Sequence, residues 1–470
     1  MRFLILFFFW TLAVFTSNAQ RQASIWYFGD RAGLSFQTEN QLPVALTNGA
    51  LSTFEGCATI SDEQGNLLFY TDGVTVHNRM HQVMKNGTAL RGSDTSTQSA
   101  LIVPWPGQQK FYVFTVDAQG SNPINGIDST GLRYSVVDMA RQGGLGEVVE
   151  KNTGLYSPTT EKLAAVAHGN GRDYWLVSHE WDSDFFFSYL ITPAGLNPTP
   201  VKSKTGSIHT GANGINALGQ MKLSPNGRSL ALAITAANTV EFFLFDNQSG
   251  KIELIESFKP PYKAQEGPYG VEFSPNSKLL YVSEFMNPGN PRGSIYQWQL
   301  GAGSVAATQF EIRGVRNQMG SLQLALDGSI YVAIARATYV GRVTYPNRAG
   351  AACEFDSVAV GLKTGLSHSG LPGFVQSWFK PPSPEVNLPN VFTPNEDEQN
   401  PVFKPLVFEH IEVAQMKIYN RWGQLLFITH DPTSGWNGGE HPAGTYFWQI
   451  TGEGADGTEV NKKGWLQLVR

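Results

Sequence analysis

One short unit recurs along the middle of this 470-residue chain: an apolar strand, a turn carrying Gly or Asn, then a strongly hydrophobic strand. The clearest copies are MKLSPNGRSLALAI from Met221, VEFSPNSKLLYVSE from Val271 and LQLALDGSIYVAI from Leu322. Looser copies begin at Ala58, Leu101 and Ala164. Hairpins spaced by roughly 40 to 65 residues mark a repeat architecture, and the lower spacings suit four-stranded blades. A further strand pair follows several hairpins, as in VEFFLFDNQSGKIELIE from Val240. A lone blade cannot bury both of its faces, so blades stack radially and leave only short edges exposed. The fold class read from this pattern is all-β: a β-propeller, seven blades favoured, six or eight the alternatives. IWYFG from Ile25 and GLSF from Gly33 precede the first repeat, and GFVQSWF from Gly373 follows the last. Together they are expected to form a shared closing blade.

The composition agrees, because 49 Gly, 26 Pro and 12% aromatic residues against 16% charged favour turns and pleated, half-buried surfaces. A net charge of -5, with no Lys/Arg cluster, gives no electrostatic reason to expect nucleic acid or an anionic membrane as partner. Arg2, the apolar run from Phe3 to Phe15 and the small residues Ser17-Asn18-Ala19 read as a signal peptide over 1–19, cleaved before Gln20. As a helix that run rises only about 20 Å, too short to span a bilayer of about 30 Å. No later stretch is long and apolar enough to span either, so no transmembrane segment is expected after cleavage. Two cysteines cannot be the main support of so long a chain. Cys57 and Cys353 lie in regions that ring closure brings near each other; pairing and simple burial both remain open.

At Phe379 the texture changes. Lys380-Pro381-Pro382-Ser383-Pro384 favours an extended backbone, which divides the chain into a propeller over 20–379, a Pro-rich linker over 380–387 and a last unit over 388–470. MKIYNRWGQLLFI from Met416, GTYFWQITGEG from Gly444 and GWLQLVR from Gly464 read as strands of a small immunoglobulin-like β-sandwich. LPNVFTPN (388–395), MKIYNRWGQ (416–424), GWNG (435–438) and PAGTYFWQI (442–450) resemble the gliding-motility-associated C-terminal domain, the type B sorting signal of type IX secretion. The resemblance rests on Pro389, Asn390, Phe392, Thr393, Pro394, Asn395, Tyr419, Asn420, Arg421, Trp422, Gly423, Trp436, Gly438, Gly444, Thr445 and Tyr446. It implies a route typical of the Bacteroidota, through the periplasm to the cell surface or medium, with the type IX secretion machinery as partner. Where that family has Gly-Asp-Gly after TPN, this chain has Glu396-Asp397-Glu398-Gln399. The acidic loop is either solvated or a cation site. Trp422, Trp436, Tyr446 and Trp448 suit a sandwich core as well as recognition.

The SPNG-type hairpins resemble those of WD-like and lactonase-like bacterial propellers, a resemblance that implies a fold and no activity. GxSxG, HExxH, CxxC and P-loop patterns are absent, and four positions after His179 stands Ser183 where a zinc helix needs a second histidine. In a four-stranded blade, the loop after the second strand shares a face with the loop leading into the next blade. That rule gathers Asp72, Asp117, His179, Glu180, Glu284, His209 and His368 on one candidate ligand face, with His168 on the other. Such a rim suits a metal or acid–base pair, or is simply polar loop. Three functions follow, with enzyme activity the less favoured: a surface module that binds a protein or glycan, a metal-dependent lactonase-like hydrolase, or a structural part of the envelope or gliding apparatus. Sequence names no cofactor and no metal.

Overall fold

The computed structural model describes residues 21–38, 42–118, 131–261, 267–285, 293–313, 318–395 and 400–470. The segment read as a signal peptide and the acidic loop at 396–399 lie outside them.

Local chemistry sets the hairpins. In the repeat from Met221, the Ser224 hydroxyl donates to Asn226 Oδ1 (2.7 Å) and accepts from the Ser229 N–H (3.0 Å), while Gly227 takes φ +69°. Ser274 and Asn276 repeat this arrangement at 2.7 Å, with Ser277 at φ +60°. In the third copy Asp327 caps Ser329 (3.0 Å) and Gly328 turns at φ +74°. A side chain that mimics the turn's backbone bonds, followed by a left-handed residue, closes each hairpin tightly.

Among the described residues before Lys380, seven sheets result. The first has three strands, Ile25–Phe28, Ala32–Ser35 and Val44–Leu46. The second joins Cys57–Ser61, Leu67–Thr71 and Val76–Asn78 to a late strand, Pro372–Gly373. The remaining five lie within 100–156, 159–204, 221–258, 267–313 and 319–361, and each begins with its innermost strand. Those innermost strands neighbour one another in sequence order. The ring closes where Trp26 and Phe36 of the first sheet meet Tyr331 of the seventh, with ring centroids 5.7 and 5.2 Å apart. This is a seven-bladed propeller.

The closing arrangement differs from the expected shared blade. The first sheet meets the returning chain through an Asp30 to Leu366 bridge, whereas Pro372–Gly373 runs parallel to Cys57–Ala58 of the second sheet. Val375 then bridges Ala165 of the fourth, so the segment from Leu366 to Phe379 threads the axis. Its composition suits that crowded path better than a regular ladder. Pro372 lacks an N–H, and a Cβ on Gly370 would sit 1.6 Å from the Glu55 carbonyl oxygen. Both cysteines are buried free thiols, which settles the open question of their pairing.

After Phe379 come a two-stranded sheet, Glu385–Asn387 with Val407–Glu409, and a five-stranded one. In the latter the order is Val391–Phe392, Glu459–Leu468, Gly444–Gly454, Ile411–Tyr419, Leu425–Thr429. Phe392, Phe403, Met416, Ile418, Trp436, Tyr446, Ile450 and Leu466 fill the core of this small sandwich. The last three residues of the Pro-rich stretch therefore form a strand. Lys278 Nζ reaches Glu453 Oε2 at 2.6 Å, Asn347 Nδ2 donates to Glu412 at 3.3 Å, and Ser383 Oγ donates to Asp456 at 2.9 Å, tying the sandwich to the propeller and to the chain leading into it.

Candidate functional site

The rim residues have separate local tasks. Asp72 Oδ1 accepts from the Val74 and Thr75 N–H groups at 2.8 and 2.7 Å, Asp117 from Ala118 at 2.9 Å, and Glu284 from Ser294 at 3.0 Å. Glu180 ends its strand opposite Thr159, and the half-buried His368 ring lies 5.1 Å from Phe54. His168 bonds to the Gln248 carbonyl in a hairpin turn. Among the described residues, no group of three or more His, Cys, Asp or Glu is arranged to hold a metal ion.

Of the rim residues, His179 and His209 come together, their rings stacked at 4.0 Å between centroids with Phe186 edge-on at 4.5 Å from His179. Both are fully buried, and among the described residues their four ring nitrogens meet no hydrogen-bond partner of good geometry. Burial, with the Lys162 ammonium nearby, pulls His179 down to about 3. Burial and His179 itself hold His209 well below its usual value. The folded protein keeps both rings neutral where the unfolded chain protonates them, so stability is present above about pH 6.5 and is lost as pH falls toward the folded values. At pH 5 keeping His179 neutral should cost about 2 kcal/mol, and His209 adds in the same direction. A His209→Phe variant should therefore lose less of its melting temperature than the parent between pH 7.5 and 5. Parallel curves would remove the histidines from the acid response.

The axis itself carries a polar set that sequence reasoning missed. Lys222 Nζ lies 3.1 Å from Glu272 Oε2 and donates to Gln323 Oε1, with all three side chains buried. Glu272 also accepts from the Phe273 and Leu324 N–H groups at 2.9 and 3.0 Å. Gln98 bridges the Leu163 and Met221 backbones, its Nε2 donating to Leu163 O at 2.8 Å and its Oε1 accepting from Met221 N at 2.8 Å. Gln220 joins Val271 and Leu322 through Oε1 alone, which accepts from both N–H groups at 3.1 and 3.0 Å. The signal was present: Lys222, Glu272 and Gln323 are the middle residues of Met-Lys-Leu, Val-Glu-Phe and Leu-Gln-Leu at one register of the repeat. Nearby, Lys162 Nζ donates to the Ala217 and Leu218 carbonyls at 2.7 and 2.8 Å, and burial lowers it to about 7. Burial, with Glu161 close, pushes Glu55 up to about 8. The cavity between Gln98, Lys222, Phe374 and Gln376 has room for about one water molecule. Lys162, the Lys222–Glu272–Gln323 set and the two bridging glutamines staple blades together around the axis.

In the C-terminal sandwich the motif residues divide into two sets. Phe392, Trp436 and Tyr446 are buried, and the Tyr446 hydroxyl donates to the Pro442 carbonyl at 2.6 Å. Gly438 turns at φ +79° where a Cβ would meet Leu468 and Phe392 at 3.3 Å. Thr445 Oγ1 bonds Gln467 at 2.9 Å on the strand that begins with Gly444, and the Asn395 N–H donates to the Thr393 carbonyl at 2.9 Å. Pro389 and Pro394 are half-buried beside exposed Asn390. The other set lies in a turn after Tyr419. Asn420 Oδ1 accepts from the Trp422 and Gln424 N–H groups, both at 3.0 Å, Gly423 takes φ +79°, and Arg421 and Trp422 project outward.

Residues 386–468 match the CHU_C Type IX secretion signal domain. This signal implies export by type IX secretion, to the cell surface or the medium. No helix among the described residues is long and apolar enough to cross a membrane. The propeller resembles solved structures distantly. A candidate 6-phosphogluconolactonase from Bacteroides uniformis shares 14% identity and a TM-score of 0.42, over 69% of this chain and 92% of that one. A Lactobacillus plantarum protein shares 13% and 0.45, over 75% and 99%. Likenesses at that level transfer no activity. A curated 3-deoxy-manno-octulosonate cytidylyltransferase from Xylella fastidiosa is 30% identical over 127 residues, 26% of this chain. The chain spans 44% of that protein's length.

Proposed function

We propose that the propeller is a binding module for a protein or glycan at the cell surface, delivered there by its signal domain and working through loops on one face. The observation that carries this reading is the filled axis: the segment from Leu366 to Phe379 and the Lys222–Glu272–Gln323 set occupy the place where a propeller enzyme would admit a substrate. The loops around it offer apolar contact instead. Phe54 precedes Cys57–Ser61, Ile208 lies in the segment leading to Met221–Leu223, Ile215 lies on the turn Ala212–Ala217, and they are 36%, 58% and 44% exposed. Half-buried Trp181 follows a second strand, which puts it on the same side. Apolar groups standing out of polar loops on a rigid frame support a recognition surface.

Ile208→Asp in the full-length protein should weaken capture by about tenfold, read on arrays of polysaccharides and of fractionated surface proteins. Capture unaffected by Ile208→Asp would overturn the choice of face. A stoichiometric divalent metal in purified protein, together with lactone turnover, would replace the binding reading with the hydrolase.

A further inference from the structure

We propose that the outward face of the five-stranded sheet, with Trp422 standing at its end, is the surface by which the type IX machinery grips the signal domain. The inference rests on residues 386–468 being an export signal, and it concerns which atoms are read.

Directly opposed residues on neighbouring strands project to the same side of a sheet. Trp465 opposes Phe447, Phe447 opposes Tyr419, and Tyr419 opposes Leu425, so one apolar row crosses four strands. Its residues stand out of the protein: Trp465 is 52% exposed, Phe447 46% and Leu425 45%, while Trp422 at the adjoining turn is 80% exposed. A single exposed Leu needs no explanation, but a contiguous aromatic row does. Beside it runs a second row in which Lys463 opposes Gln449, Gln449 opposes Lys417 and Lys417 opposes Ile428.

Charge then selects the occupant. None of the residues 415–428, 445–451 and 461–467 is acidic, so the end of the face around Trp422 presents Lys417, Lys463 and Arg421, while Glu453 and Glu459 lie at its other end, where Lys278 of the propeller engages Glu453. A protein surface with apolar clefts ringed by carboxylates complements it. A second copy of the same face would set these cations against themselves, and a neutral glycan would leave them unpaired. The turn is built in advance as well, because Asn420 caps it twice and the Arg421 guanidinium lies 5.0 Å from the Trp422 ring. A Trp held on a capped turn beside Arg421 is the kind of anchor that dominates protein interfaces, and the backbone that carries it is ordered before docking.

The test uses the full-length protein in its source bacterium, with surface labelling and periplasmic fractionation as readouts. Trp422→Ala combined with Phe447→Ala and Trp465→Ala should cut the surface fraction by about tenfold. The purified variant should keep its melting temperature, since none of the three side chains is in the core. Lys417→Glu with Lys463→Glu should act in the same direction. Deletion of 386–470 runs beside them. Normal export of the face variants with retention of the deletion overturns the docking face and leaves the export signal standing. Surface display of the deletion overturns the export reading itself. A purified parent that is a dimer, and becomes monomeric in the triple variant with export unchanged, assigns the face to self-association and overturns the proposal.

Discussion

Lys222→Met is expected to lower the unfolding free energy by about 3–5 kcal/mol at pH 8, because it leaves the Glu272 carboxylate buried without its cation. Burial raises the Glu272 carboxyl above its ordinary value, with the Lys222 charge opposing that rise. Without the lysine, the folded protein holds a proton on Glu272 at a pH where the unfolded chain releases it. Stability is therefore recovered as pH falls toward the unfolded value of about 4.5, and the deficit should shrink at pH 5. Adding Glu272→Gln to Lys222→Met should recover part of the loss at pH 8. The amide removes the uncompensated charge and keeps an oxygen for the Leu324 N–H. Denaturant titrations of the three proteins at both pH values check this. A Lys222→Met variant as stable as its parent would show that the axial set joins no blades.

The second large effect lies in the signal domain. Trp436 is 3% exposed, and its ring lies 5.6 Å from Phe392 and 5.2 Å from Tyr446. Trp436→Ala should cost about 3–5 kcal/mol, a large part of what so small a core supplies. The expected result is a signal domain cut by protease at low doses, a propeller that resists, and no protein on the surface. Trp422→Ala should leave the protease pattern unchanged. Equal protease sensitivity of the two variants would mean that Trp422 also supports the fold.

That contrast marks the limit of what could be read in advance. Both tryptophans stand in motifs that resemble a sorting domain, and both are aromatic residues near turns. Trp422 sits between Asn420 and Gly423, residues that favour a turn, yet by residue type it suited a core as well as Trp436 did. The burial of Trp436 depends on Phe403 pairing with it through two backbone bonds of 2.8 and 2.9 Å from a distant segment. The propeller was readable for a similar reason. Ser224-Pro225-Asn226-Gly227 and its relatives encode hairpins within a few residues, and repeated hairpins leave few ways to bury their faces. The axial course of 366–379 was not readable, because Gly370 and Pro372 fit against Glu55 and Cys57, far away in the chain. The histidines fall between these cases. Strand order predicted that His179 and His209 share one side of the ring. Their stacking out of water depends on the strands packed around them, Phe186 on the neighbouring strand among them.

The axial segment also sets an order of events. Trp26 and Phe374 pack at 5.7 Å although they lie about 350 residues apart in sequence. Until the last turn of the propeller has been made, the first sheet has no partner at its inner edge, and its strand edges are open to pairing with other chains. A chain cut short before the seventh sheet at 319–361 is then an open, adhesive arc that lacks a signal domain as well. Ring closure and possession of the export signal thus arrive together, and an incomplete product carries no ticket out.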